Sequence, residues 1–321
     1  MIKYFLIANN TLIESDSPAS PIVLYLNPDA SEKSVLTSEC QLDEHTLSSA
    51  LDPDEISRVE FTDDRTLLIW KRPKNYSGEE AFLFNVTSVG LFLIKERLIL
   101  VVTEDIVLTS PSVRQMVRLV TPVDVLLNFL YITIHHYLEH LKVMKMISRE
   151  LHLKINTSME NRHLIQMFNL SESLVYYANA INSNHAVLTK LRNSAEKMNL
   201  PAPTIEFLDD LIIENNQCFK QAEIYSTVFS GLMDARGNLV NNNMNVLLKN
   251  LTVINVIFLP LNLLASIGGM SEFSMMTHGI DWRISYSLFF IGMLMIGWLT
   301  FLLLGKINFA NSGLKRRKQR P

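Results

Sequence analysis

The chain has 321 residues, a formal net charge of −3, 48% hydrophobic residues and two cysteines. That length admits one soluble domain followed by membrane segments, or two soluble domains. The charge balance gives no sign of a nucleic-acid partner. Cys40 and Cys218 stand far apart, without partners at metal-ligand spacing, which points to a reduced compartment or to no disulfide role.

The opening run, Met1 to Asn10, carries a single lysine and too short an apolar stretch for a signal peptide, and reads as a first strand. Ile2–Ala8, Ile22–Leu26 and Arg65–Lys71 are β-rich, the last preceded by the turn-like Thr62, Asp63 and Asp64. Phe82–Ile94 and Leu98–Thr103, joined by Lys95, Glu96 and Arg97, predict a hairpin. A short helix is predicted over Leu42–Leu51, ended by Asp52 and Pro53. Strands mixed with a helix predict an α+β domain over residues 1–120, expected to be cytosolic since its opening run reads as a strand.

From Thr121 and Pro122 the pattern changes to helical, since Pro in the first turn after a Thr cap is a start signal. Val125, Leu126, Phe129, Leu130, Ile132, Leu138, Leu141 and Ile147 recur at helical spacing to about Asn156. A second helix is predicted from Asn161 to Met198, and the two form an antiparallel pair over residues 121–202. The break at Asn199, Leu200, Pro201, Ala202 and Pro203 opens one very long helix within residues 203–268. At about 1.5 Å per residue it spans on the order of 100 Å, so its first half is a stalk and only its end, from near Val246, enters a bilayer. Pro260 reads as a tolerated kink. Residues 269–283 form a short extracytoplasmic loop. Ile284–Leu304 is an uncharged run of 21 residues, the second span of 284–305, and a basic tail, 306–321, carries Lys306, Lys315, Arg316, Arg317, Lys318 and Arg320. The loop between the spans has only Arg283 as a strong base, so the positive-inside rule predicts a multi-pass protein of the inner or plasma membrane with both termini cytoplasmic.

Along the long helix, Asp234, Asn238, Asn241, Asn245, Thr252, Asn255, Asn262 and Ser266 follow at spacings of 4, 3, 4, 7, 3, 7 and 4, steps that return to one helical face. Polar side chains within a span face a bundle interior or a water path. A single Asn is as readily glue to a neighbouring helix. One hairpin cannot enclose a path, so a water-lined reading requires an oligomer with this helix at its axis. Rings of neutral amide oxygens suit a hydrated cation, and magnesium gives up water reluctantly. Leu248, Leu251 and Leu259, on or near the same face, are read either as dry constrictions that gate by excluding water or as ordinary interhelical packing.

The residues Ser230 to Asp234, Met244-Asn245, Leu251-Thr252, Phe258 to Pro260 and Gly269-Met270, in this order and spacing, resemble the signature of the CorA superfamily of divalent-cation channels. Asp54–Pro73, with Arg58 to Glu60 and Leu67 to Lys71, resembles the cytosolic domain of that family. The resemblance implies a CorA-like fold: an α+β cytosolic domain, a long stalk helix continuing as the pore-lining span, and a two-helix transmembrane hairpin, in a homopentamer with a funnel-shaped cytosolic part. It implies that Asp234, Asn241, Asn245, Leu248, Leu251, Thr252, Asn255, Leu259 and Asn262 line the pore. The outer mouth would be Gly269, Met270, Ser271 and Glu272. Asp210 falls where the family places an aspartate of an inter-subunit magnesium sensor, with Asp63 or Asp64 as its partner carboxylate; Asp209 and Asp210 also read as a solvated helix face. Carboxylates that face each other across an interface repel until a cation bridges them.

This chain departs from the family in reading Gly269-Met270-Ser271 where the family has Gly-Met-Asn, and in lacking the acidic, Pro-containing loop that usually follows. Ser offers one short hydroxyl where Asn offers a carbonyl and an amide, which opens the choice of ion to zinc, cobalt or nickel. Glu272, repeated around a ring, concentrates cations at the mouth, or is a solvated loop residue. The helix pair between 122 and 198 carries eight Lys and Arg against six Asp and Glu, where the family often has acidic helices. His136, Glu139 and His140 fit a His-x-x-Glu-His pattern used by some zinc peptidases, or are packing and surface residues. The expectation is a divalent-cation channel, not an enzyme: no cofactor, Mg2+ as the transported and regulatory ion, Zn2+ as an alternative, and partners limited to its own copies, membrane lipid and divalent cations. The alternatives are a non-conducting relative that serves as a membrane scaffold and, third, a membrane zinc peptidase.

Overall fold

Alternating apolar residues in the first hundred positions build a sheet that is buried on both faces. The protein, a computed structural model, is described at residues 1–62, 64–75, 82–106, 108, 118–157 and 161–317. It divides into two compact units, Met1–Met233 and Asp234–Pro321.

The first unit is built on seven strands: β1 Ile2–Ala8, β2 Thr11–Ser15, β3 Ile22–Leu26, β4 Arg58–Thr62, β5 Arg65–Pro73, β6 Val86–Ile94 and β7 Arg97–Val102. Their order in the sheet is β2-β1-β3-β7-β6-β5-β4, with β3 and β7 parallel at the centre and the other neighbours antiparallel. Helices α1 Ala30–Ser38 and α2 Glu44–Leu51 lie between β3 and β4 in the chain. They cover one face, where Leu36, Leu47 and Ala50 pack against Val23, Ile69, Phe92, Ile99 and Val101. Gly90 on β6 permits this approach, because a Cβ there would lie 2.7 Å from the Cβ of Ala50. The alternate residues of the same strands, Ile22, Leu24, Leu68, Trp70, Leu91 and Leu100, pack on the opposite face with α3 Pro122–Thr157, α4 Asn161–Asn193 and the first part of α5 Ala202–Gly268. The period-two alternation therefore serves two helical layers rather than one core and one wet face.

Local chemistry explains elements that the sequence reading leaves unassigned. β1 and β2 are joined by Asn9 and Asn10, at φ 52° and 65°, the pair of left-handed residues that a tight hairpin needs. α1 begins with a reciprocal cap: Asp29 accepts from the Glu32 backbone N–H at 2.8 Å, and the Glu32 carboxylate accepts from the Asp29 N–H at 3.0 Å. Phe82, where the sequence places a strand start, has φ 64°, a left-handed conformation that no strand continues; β6 begins at Val86. α4 stops at Asn193, and a turn with Asn199 at φ 49° replaces its expected last residues.

A buried side-chain amide locks the helical layer to the sheet. β4 ends its pairing with β5 at Arg58 opposite Ile69, which leaves Lys71 without a strand neighbour on that side. Asn184 of α4, fully buried, takes the strand's place: its Oδ1 accepts from the Lys71 N–H at 3.0 Å, and its Nδ2 donates to the Lys71 carbonyl at 2.8 Å. Ser57 donates to the same Oδ1 at 2.7 Å.

The second unit comprises the rest of α5, a short helix α6 Ser271–Met276 and α7 Trp282–Arg317. α7 is longer at both ends than the apolar run read from the sequence; Asp281 starts it, accepting from the Arg283 N–H at 3.0 Å. Both α5 and α7 are long and apolar enough to cross a membrane. They meet where small residues admit large ones: Gly268 against the ring of Phe289, and Gly297 against Leu261. The basic residues predicted as a tail, Lys306 to Arg320, lie outside the described side chains, and residues 318–321 outside the described backbone.

Replacing Asn184 by Leu leaves the Lys71 N–H and carbonyl buried without partners, each worth roughly 1–3 kcal/mol. We expect a loss of about 3 kcal/mol in denaturant unfolding followed by tryptophan fluorescence, and a smaller loss, about 1 kcal/mol, for Ser57→Ala.

Candidate functional site

The polar stripe of α5 stands exposed along its whole length: Asp234, Asn238, Asn241, Asn245, Thr252, Asn255, Asn262 and Ser266 are all open in the single chain, as are Leu248, Leu251 and Leu259. From Val246 on, the half-buried positions of α5 are Val253, Ile257, Pro260, Leu261 and Leu264, followed by buried Gly268. On a wheel of roughly 100° per residue, Val253, Ile257, Leu261, Leu264 and Gly268 fall within about 40° of one line, the seam with α7. Asn245, Leu248, Leu251, Thr252, Asn255, Leu259, Asn262 and Ser266 fall within about 60° of the opposite line. The amides therefore do not glue α5 to its partner in the hairpin; they point away from it.

The pattern changes along the helix. Up to Asn250 it is polar on several sides, with Asn242, Asn243, Lys249 and Asn250 off the stripe. Beyond Asn250 the only polar side chains of α5 are Thr252, Asn255, Asn262 and Ser266, all on the far face. This one-sided stretch is about 27 Å long, close to the roughly 30 Å of a bilayer core. Thr252 spends its proton on its own helix, donating to the Leu248 carbonyl at 2.8 Å, so its oxygen is presented outward as an acceptor. Lys249 lies about 100° from the centre of the stripe, so the stretch after Asp234 carries no positive charge on that face.

At the end of α5 the Gly269 N–H still bonds back to the Ala265 carbonyl at 3.1 Å, and Met270, in extended backbone, caps α6 without a side-chain bond. Ser271 is the first residue of α6 and is exposed. Glu272 also belongs to α6; its side chain lies outside those described. The sequence shows no sign of α6, which is six residues long and follows the break at Gly268 and Gly269. Phe273 ties it to α7 by ring contacts with Phe289 and Tyr286, at 5.2 and 5.8 Å between centroids.

In the first unit Asp210 is exposed and lines an open cleft of about 950 Å³, with Glu96 of the β6–β7 turn, Asp124 and Glu206 among its other walls. Asp124 is committed to the start of α3, accepting from Thr121 N–H and Oγ1, both at 2.8 Å. Among the described residues no three His, Cys, Asp or Glu side chains are gathered closely enough to hold a metal. Asp209 is paired with Arg192 at 2.6 Å and belongs to the fold. Asp64 is exposed at the β4–β5 turn, outside the lining of this cleft, and Asp63 lies outside the described residues.

Comparison with known proteins gives three kinds of match. A model of the family described as CorA-like Mg2+ transporter protein matches residues 23–306. The cobalt/magnesium transport protein CorA of Methanocaldococcus jannaschii is 26% identical over 238 residues, covering 70% of this chain and 71% of that protein. The complete structure of the CorA magnesium transporter from the same organism superposes with a TM-score of 0.74 at 20% identity, covering 94% of this chain and 96% of that one. The full-length CmaX protein superposes with a TM-score of 0.66 at 13% identity, covering 95% and 97%.

The His136, Glu139 and His140 pattern does not assemble a metal site. His140 is buried, its Nδ1 is 2.7 Å from the Tyr177 hydroxyl, and its ring stacks on Tyr177 with Phe84 at its edge. Glu139 is exposed on another side of α3. Burial, with a smaller push from the neighbouring His136, drives the His140 pKa down to about 3 from its ordinary 6.5. Between those two values the unfolded chain takes up a proton that the folded chain refuses, so stability falls as pH drops from 6.5 towards 3, by at most about 1.4 kcal/mol per pH unit. His140→Gln, which keeps a hydrogen-bonding side chain near Tyr177, removes this share. Its thermal midpoint is expected to fall less steeply than that of the parent between about pH 6.5 and pH 5. Equal slopes exclude His140 as the source.

Proposed function

The chain belongs to the CorA-like Mg2+ transporter protein family, and from that premise we propose a homopentamer that passes hydrated magnesium along the α5 stripe. It is a membrane-embedded CorA-like transporter of divalent cations, and not an enzyme. The observation that carries the finer reading is the one-sidedness of α5 after Asn250: four polar side chains, all opposite the seam with α7. Turned to lipid, each would lose its hydrogen bonds to water at a cost of kcal/mol order. Turned to a shared axis, they face water and one another.

In this reading Asn262 and Asn255 present amide oxygens that accept hydrogen bonds from the waters around the ion, so the ion is not stripped. Leu248, Leu251 and Leu259 form rings that close the path by excluding water. Asp234 and the amides of Asn241 and Asn245 draw cations at the inner end, and Gly269, Met270, Ser271 and Glu272 form the outer mouth. The N-terminal unit and both termini are cytoplasmic, in an inner or plasma membrane, as the charge of the C-terminal tail favours. Asp210 acts as a regulatory magnesium ligand across a subunit interface. Its exposure in the single chain, at a cleft that Glu96 and Glu206 also line, supports that reading. Ser271, with one hydroxyl for an amide, makes zinc the second ion to test.

Purified protein in proteoliposomes loaded with a divalent-sensitive dye is expected to admit magnesium above the rate of empty vesicles, with zinc compared in parallel. Flux of neither ion through a pentamer of confirmed size would leave a non-conducting scaffold as the better reading. Asn262→Leu should cut the magnesium rate about tenfold, equivalent to roughly 1.4 kcal/mol in the barrier, with assembly unchanged. An unaltered rate removes Asn262 from the path. Asp210→Asn should leave flux high at millimolar internal magnesium, where the parent closes; closure equal to the parent's would reject the sensor.

A further inference from the structure

We propose that the groove between the C-terminal half of α3 and the middle of α5 binds a long-chain fatty acid. Its floor is apolar: Ile224, Val228, Phe229 and Leu232 of α5, with Leu153 of α3. Three of these are largely open, Ile224 at 57%, Val228 at 54% and Leu153 at 67% exposure. A contiguous apolar strip left open on a soluble unit marks a binding surface more often than a scattered exposed residue does.

The rim has one sign. Lys145 and Arg149 stand at i and i+4 along α3, one above the other beside the strip, with His152 further along the same face, and no carboxylate is among the described residues that line the groove. Lys145 lies over the ring of Tyr225, 5.5 Å from its centroid, which holds its charge at the groove edge. Neither Lys145 nor Arg149 has an ion-pair partner among the described residues. An occupant must therefore be apolar along its length and anionic at one end. The Arg149 guanidinium matches a carboxylate by two parallel N–H donors, with Lys145 adding charge one turn away. The volume, about 500 Å³, falls in the lower half of the range for small-molecule sites, which suits one acyl chain.

The test is photolabelling of the full-length protein, in nanodiscs of zwitterionic lipid, with a diazirine-bearing palmitate and peptide mapping of the adducts. Labels are expected on α3 near Lys145 to Leu153 and on α5 near Ile224 to Leu232. Unlabelled oleate should compete and methyl oleate should not. Val228→Trp, which fills the groove, and Arg149→Glu, which reverses the rim, should each reduce labelling about tenfold while oligomer size and thermal midpoint stay those of the parent. Adducts confined to α7 and the apolar end of α5 would mean partition into the bilayer and overturn the proposal. Equal competition by the methyl ester would remove the carboxylate from recognition. A Val228→Cys variant that forms a disulfide between copies would show the groove to be a subunit contact instead.

Discussion

A side-chain amide taken from water must keep its hydrogen bonds, and α5 carries amides into the stretch where a bilayer would deny them. Everything about the second unit is consistent with that requirement. The seam with α7 uses aliphatic side chains and glycine, so it needs nothing polar. The amides collect on the side that the hairpin leaves open. A single copy cannot satisfy them, and for that reason the function proposed for this chain is a property of an assembly rather than of the fold of one chain.

The same rule operates in the first unit with the opposite solution. There Asn184 is sealed from water and bonded at both its oxygen and its nitrogen, its amide taking the place of a missing strand beside Lys71. Arg72, also buried, is paired with Glu104. His140 is kept neutral and bonded to Tyr177. These polar groups specify how the helical layer docks on the sheet, and their partners lie within the chain. Asn255 and Asn262 are the same kind of residue with no hydrogen-bond partner among the described residues, and that contrast separates an architectural amide from a candidate functional one.

Much of the site is legible in the amino-acid order, because helical period and polarity are both written along one segment. Spacings of three, four and seven place Asn255 and Asn262 on one face whatever surrounds them, and the run after Ile284 is apolar in any context. Two strands are hidden in the sequence for local reasons. β2 is short and polar and is created by the turn at Asn9 and Asn10; β4 exists because β5 offers it an edge. The expected strand from Phe82 fails because a left-handed residue interrupts a run whose composition alone favours extension. The zinc motif is lost to packing: two histidines one turn apart share a helical face, yet one of them is buried against Tyr177 and Phe84.

The sequence by itself determined the order of elements, the long helix with its polar stripe, the two apolar spans and the family resemblance, since each depends on composition and period along a contiguous stretch. Only the tertiary structure decided which side of α5 meets α7. The seam shows at Gly268 of α5, which admits Phe289, and at Gly297 of α7, which admits Leu261, and these pairings are not written in either helix alone. It likewise decided that Asp209 serves the fold through Arg192 while Asp210 stays open, because the two neighbours differ only in what the chain brings near them.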